Sequence, residues 1–83
     1  MIFSAEIKVM PLKELLDPQG KAVMTGLQSL GIENITDIRI GKHINLQIEA
    51  TTKEHAFSIA EEASKKLLAN AVMEHFEIEI TTL

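Results

Sequence analysis

The sequence predicts an α+β sandwich: a four-stranded antiparallel sheet with two helices on one face. Three observations lead there. Apolar residues recur with a period of two near both ends of the chain and across its middle. Two stretches of helical period separate those segments, and capping or turn residues stand at the boundaries. The middle stretch is the clearest. From Ile35 to Glu49, Ile38, Ile40, Ile44, Leu46 and Ile48 alternate with Asp37, Arg39, Asn45, Gln47 and Glu49, with Gly41 between two arms. This reads as a hairpin. A two-residue loop would set apolar against polar side chains. A three-residue loop, Gly41 to His43, pairs Ile40 with Ile44, Ile38 with Leu46 and Arg39 with Asn45, and is expected for that reason.

The other elements carry equally local signals. Residues 2 to 10 alternate Phe3, Ala5, Ile7 and Val9 with Ser4, Glu6 and Lys8, and Pro11 ends the strand because it has no N–H to donate. Leu12 to Leu16 is a connector. Asp17-Pro18-Gln19-Gly20 opens the first helix, with aspartate as N-cap and proline in the first turn. Ala22, Val23, Leu27 and Leu30 repeat at helical spacing, and Gly31 suits the left-handed position after the last turn. Gly26 lies inside the helix, where it suggests close approach to the sheet. Thr51 and Glu54 have the spacing of a capping box for the second helix. Its apolar stripe is Ala56, Ile59, Ala60, Ala63 and Leu67, and Asn70 is expected near its C-cap. The last strand runs from about Met73 to Ile80.

The order β-α-β-β-α-β, with right-handed crossovers and one apolar sheet face, predicts a ferredoxin-like sandwich. Its first and third strands would be central and its second and fourth at the edges. The 83 residues form one domain, 1–83, without linker or repeat. A chain this short buries only about 60% of its unfolded surface, which favours association with other chains.

Composition excludes several classes of function. The net charge of −4 and the absence of Tyr and Trp argue against nucleic-acid binding. No apolar run is long enough to span a membrane. The amino terminus has no signal-peptide pattern, and a cytoplasmic location is expected. Without cysteine there are no disulfides and no thiol chemistry. His43, His55 and His75 have no metal-ligand spacing, and no carboxylates are paired for acid–base work. No catalytic, cofactor-binding or metal-binding residue is therefore expected. Arg39 reads equally as a charged residue paired with Glu6, Asp37 or Glu49 and as an anchor for a partner on the sheet face that the helices leave open.

Three stretches together resemble the PurS family: Leu16-Asp17-Pro18-Gln19-Gly20 followed by Ala22-Val23, Ile38-Arg39-Ile40-Gly41-Lys42, and Lys66-Leu67-Leu68-Ala69-Asn70. The likeness covers nearly the whole chain. Ala71 stands where many relatives have proline, Ser64 where many have cysteine and Phe76 where many have tyrosine. The resemblance implies the small subunit of a multi-component phosphoribosylformylglycinamidine (FGAM) synthase of purine biosynthesis, with no active site of its own. It implies a homo-oligomer that bridges a glutaminase subunit and a large synthetase subunit and supports ammonia transfer. ATP and Mg would act on the synthetase. The partner-contact candidates are then Asp17, Gln19, Arg39, Lys42 and Asn70, with Arg39 and Lys42 solvent-accessible and acting in recognition. A reading from another class is a small-molecule-sensing regulatory domain, because ferredoxin-like dimers commonly bind effectors.

Overall fold

A computed structural model describes residues 1–83. The elements are β1 (Ile2–Pro11), α1 (Pro18–Ser29), β2 (Lys42–Glu49), α2 (Lys53–Ala63) and β3 (Glu74–Thr82). The sheet has three strands, not four, in the order β2-β1-β3, with both pairs antiparallel. β1 is central because its apolar phase is the most continuous: Phe3, Ala5, Ile7 and Val9 are all buried. Ile7 faces Ile44 on one side and Ile78 on the other, and Ala5 faces Leu46 and Ile80. Cross-strand apolar contacts of this kind are the unit of sheet stability.

The expected hairpin does not form. The phase of Ile44, Leu46 and Ile48 is as predicted, but their partners are Ile7, Ala5 and Phe3 of β1, not Ile40 and Ile38. The segment Ile35–Ile40 lies outside the sheet, and the strand expected to be third is at an edge. The backbone N–H of Ile40 is spent on the Asp17 carboxylate at 2.8 Å. Gly41 is pressed so closely on the Val9 carbonyl and the Met10 thioether that a Cβ there would overlap both. The chain thus enters β2 from the side of α1 instead of folding back along a neighbouring strand.

Only α2 covers the apolar sheet face. Ala56 and Ala60 are fully buried there, and their small side chains let the helix lie close to the sheet. Thr52, one residue later than expected, caps α2 and accepts from the His55 N–H at 3.1 Å. A π turn, Ser64–Leu68, succeeds α2 and is closed by the Ala69 N–H donating to the Ser64 carbonyl at 2.9 Å. The extra residue in that turn rotates the adjoining side chains out of helical phase. Leu67, expected on the apolar stripe, is 84% exposed, while Leu68 is half-buried and Ala69 buried. Ser64 is buried, and its hydroxyl donates to the Ala60 carbonyl at 2.8 Å.

The first helix departs most from expectation. α1 packs against no strand to any extent, and of its residues only Gly20 is buried. Together with the return segment to Gly41 it forms an arm, and the chain measures 51 × 27 × 15 Å with a radius of gyration of 16.3 Å. A compact chain of this length would have a radius near 12 Å (an approximate scaling value). Nothing lies within 4 Å of a Cβ built on Gly26, so the close approach to the sheet is absent. Gly31 has φ of +85° and ends α1 as expected. No helix is long and apolar enough to cross a membrane.

Candidate partner-docking site

The arm is joined to the sheet at one junction. Asp17 is the N-cap of α1, and its Oδ1 accepts from the Gly20 N–H at 3.0 Å. Its second oxygen takes the Ile40 N–H, so one carboxylate ties the start of α1 to the end of the return segment. Arg39 completes the junction. Its Nη1 donates to the Leu15 carbonyl at 3.0 Å and its Nη2 to the Leu12 carbonyl. Arg39 is therefore half-buried against its own connector, not exposed on the open sheet face. That face carries Glu6, Lys8 and Glu49 without it. The alternation that placed Arg39 there assumed a strand that does not exist.

These contacts fix the protonation of Asp17. The Gly20 and Ile40 N–H groups, and then the Arg39 guanidinium, hold its carboxyl below its ordinary value of 3.8, against an opposing effect of burial. Because the folded pKa is depressed, the stabilising contribution is complete above the unfolded pKa and is lost as pH falls through the folded one. We expect acid unfolding below about pH 4 to be less steep in Asp17→Asn than in the natural chain. Thermal melts across that range check this. At neutral pH, Asp17→Ala should lower Tm by about 5 °C through loss of the cap.

Beside the junction lies a groove of about 370 Å3 between the connector and the turn before β3, lined among others by Leu16, Asp17, Gln19, Asn70 and Met73. Three of the five candidate residues thus come together. Asn70 shapes the wall through a turn instead of a left-handed cap: its Oδ1 accepts from the Val72 N–H at 3.0 Å, and its own N–H donates to Glu74 Oε1 at 2.8 Å. Arg39 lines a neighbouring cavity with Glu14, Lys21 and Asp37. Lys42 is exposed and apart from the groove, donating from Nζ to the Leu68 carbonyl at 3.1 Å. Sequence reasoning passed over Leu16 and Met73, which are 73% and 51% exposed at this groove. The signal for Leu16 was a leucine pair in a connector that has no period to bury it. No three His, Cys, Asp or Glu side chains are grouped to hold a metal ion.

A groove with exposed apolar walls, whose two acids, Asp17 and Glu74, are taken up by backbone N–H groups, is suited to contact. Residues 4–82 match the family model described as PurS: Phosphoribosylformylglycinamidine (FGAM) synthase. The chain belongs to the PurS family. It is 44% identical over 69 residues to the protein named phosphoribosylformylglycinamidine synthase subunit PurS from Synechocystis, covering 83% of this chain and 69% of that one. The Bacillus subtilis protein of the same name is 34% identical over 95% of this chain and 93% of its own. Solved PurS structures share the fold. The Bacillus subtilis PurS crystal structure has a TM-score of 0.87 over 96% of this chain and 99% of that one. The PurLQS structure from Thermotoga maritima gives 0.89 at 31% identity, over 98% of this chain and 99% of the matched one.

Proposed function

We propose that this chain is the small, non-catalytic subunit of FGAM synthase in purine biosynthesis and acts by holding a glutamine-hydrolysing subunit and an ATP-dependent synthetase subunit together. The observation that carries this is the family match over residues 4–82, joined to a close superposition on a chain of the Thermotoga maritima PurLQS structure. In this reading the chain works in the cytoplasm. Nucleotide, metal and amide chemistry belong to the synthetase, and the groove at Leu16, Asp17, Gln19, Asn70 and Met73 meets one of the two larger subunits.

Self-association is part of the proposal. The sheet lacks the second helix and the fourth strand of the ferredoxin-like pattern, while the arm carries a helix and an extended segment with no sheet to cover. Ile44 and Leu46 remain only half-buried, and Val23, Leu30 and Ile32 of the arm are exposed. Two copies exchanging arms across a two-fold axis supply each sheet with what it lacks. The edge of β2 is where the missing strand would pair, and closing it removes an open row of backbone donors and acceptors.

Reconstitution tests the reading. Glutaminase and synthetase subunits mixed with this chain should give glutamine-dependent amidine formation, and without it they should not. No dependence on the chain would overturn the proposal. Arg39→Lys sharpens the test, because lysine cannot hold two carbonyls with a rigid fork. We expect this variant to need about tenfold or more subunit for half-maximal turnover, corresponding to loss of a charge-assisted hydrogen bond, with full turnover at saturation. A deficit persisting at saturation would place Arg39 in ammonia transfer instead.

A further inference from the structure

The outer, helix-free face of the sheet carries a second cavity, apart from the groove at the arm junction. Register places Lys8 between His43 on β2 and Glu77 on β3, and Met10 beside His75. Directly opposed residues share a face, so the ammonium and the two imidazoles stand together. They border a cavity of about 320 Å3, with Lys42 at its rim and Glu77 as its single acid. Gly41 lets the Met10 thioether lie against the backbone, giving the cavity an apolar floor. Neither Lys8 nor His75 has an ion-pair partner within 4.0 Å, although Lys8 faces Glu77, and His43 has only Glu6 at 3.8 Å. Glu6 and Glu79 flank Lys8 on its other side, so the donors are concentrated at the Lys42, His43 and His75 end of the cavity.

We propose that this cavity binds a small phosphate-bearing anion. Its volume lies at the lower end of the range for small-ligand sites, about 300–1,000 Å3. Lys8, His43 and His75 present N–H donors from three adjacent strands, and charge-assisted bonds of this kind suit a phosphate dianion. A metal ion does not fit, because the Lys8 ammonium lines the same cavity as the two imidazoles and repels a cation. The ammonium instead favours an anion and leaves the imidazoles free to gain protons as it binds. The site shares no lining residue with the groove at Leu16, Asp17, Gln19, Asn70 and Met73, so it would give the subunit a means of sensing a phosphorylated metabolite.

Imidazole NMR of the labelled full-length chain tests the proposal, with inorganic phosphate as probe and ionic strength held constant with sodium chloride. His43 and His75 should shift together and saturably, and both should titrate at higher pH with phosphate present. His55, at the start of α2, should not respond. Lys8→Gln should weaken the effect by about tenfold through loss of a charged donor, and an unchanged His55 signal would show that the fold is kept. A response shared by His55, matched by chloride alone, or unaltered in Lys8→Gln would overturn the proposal. Equal binding of succinate would overturn the phosphate assignment.

Discussion

Val23→Glu combined with Leu30→Glu should leave a monomer at concentrations where the natural chain associates. Both side chains lie on one face of the arm, seven residues apart, and they are 42% and 77% exposed in the single chain. Charging them costs little within one protomer because they touch little there. In a two-fold pair each contact occurs twice. Burying an aliphatic side chain contributes about 1.5–3 kcal/mol, so losing both should weaken association by at least about a thousandfold. Sedimentation velocity at micromolar concentration gives the answer, and far-UV circular dichroism should stay close to that of the natural chain. A variant that associates as strongly as the natural chain would place the interface elsewhere. A natural chain that sediments only as a 9.2 kDa species would remove self-association from the proposed function.

The same exposed helix shows where sequence reasoning stopped. Local patterns identified β1, β2, α2, the Asp17 cap and the Gly31 terminus, because each is set by residues close together in the chain. The phase of Ile44, Leu46 and Ile48 was legible, but phase says which face is buried and not which strand lies alongside. Gly41 between two apolar runs has the look of a hairpin loop. Its actual cause, contact with the Val9 carbonyl and Met10, lies more than thirty positions away in sequence. α1 has an amphipathic stripe that predicts burial, yet in the single chain Val23 and Leu30 are exposed, because a stripe cannot say whether a cover comes from the same chain.

The site was legible to a similar degree. Asp17, Gln19 and Asn70 do meet at one groove, while Arg39 was assigned to the wrong surface with its missing strand. The π turn after Ala63 left no pattern to read, and it exchanged the roles of Leu67 and Leu68. Buried Ser64 sits at the start of that turn with its hydroxyl satisfied by the Ala60 carbonyl. A polar residue there is thus compatible with a tight interior.

Gly20→Ala and Gly26→Ala should act with opposite signs on the stability of the single arm, although both lie in α1. A Cβ on Gly20 would overlap the Ile38 carbonyl and come within 2.9 Å of Asp17 Oδ2. Backbone cannot swing aside as a flexible side chain can, so the junction must open, at a cost of about 1–3 kcal/mol or more. The sheet and α2 do not depend on it. Hydrogen exchange should therefore quicken at Gly20 and Ile40, whose N–H groups the Asp17 carboxylate holds, while β1 stays protected. Reconstituted turnover should fall with the loosened arm. Gly26 has helical backbone and empty space around it, so alanine there should stabilise the arm by about 0.5–1 kcal/mol. That gain is best measured in the Val23→Glu, Leu30→Glu background, where no second copy intrudes. In the otherwise natural chain the same change should weaken association, because Gly26 lies on the helix face of Val23 and Leu30 and a partner seated there would meet the added methyl group. A raised Tm with undiminished association would mean that this face of α1 stays open in the assembled subunit.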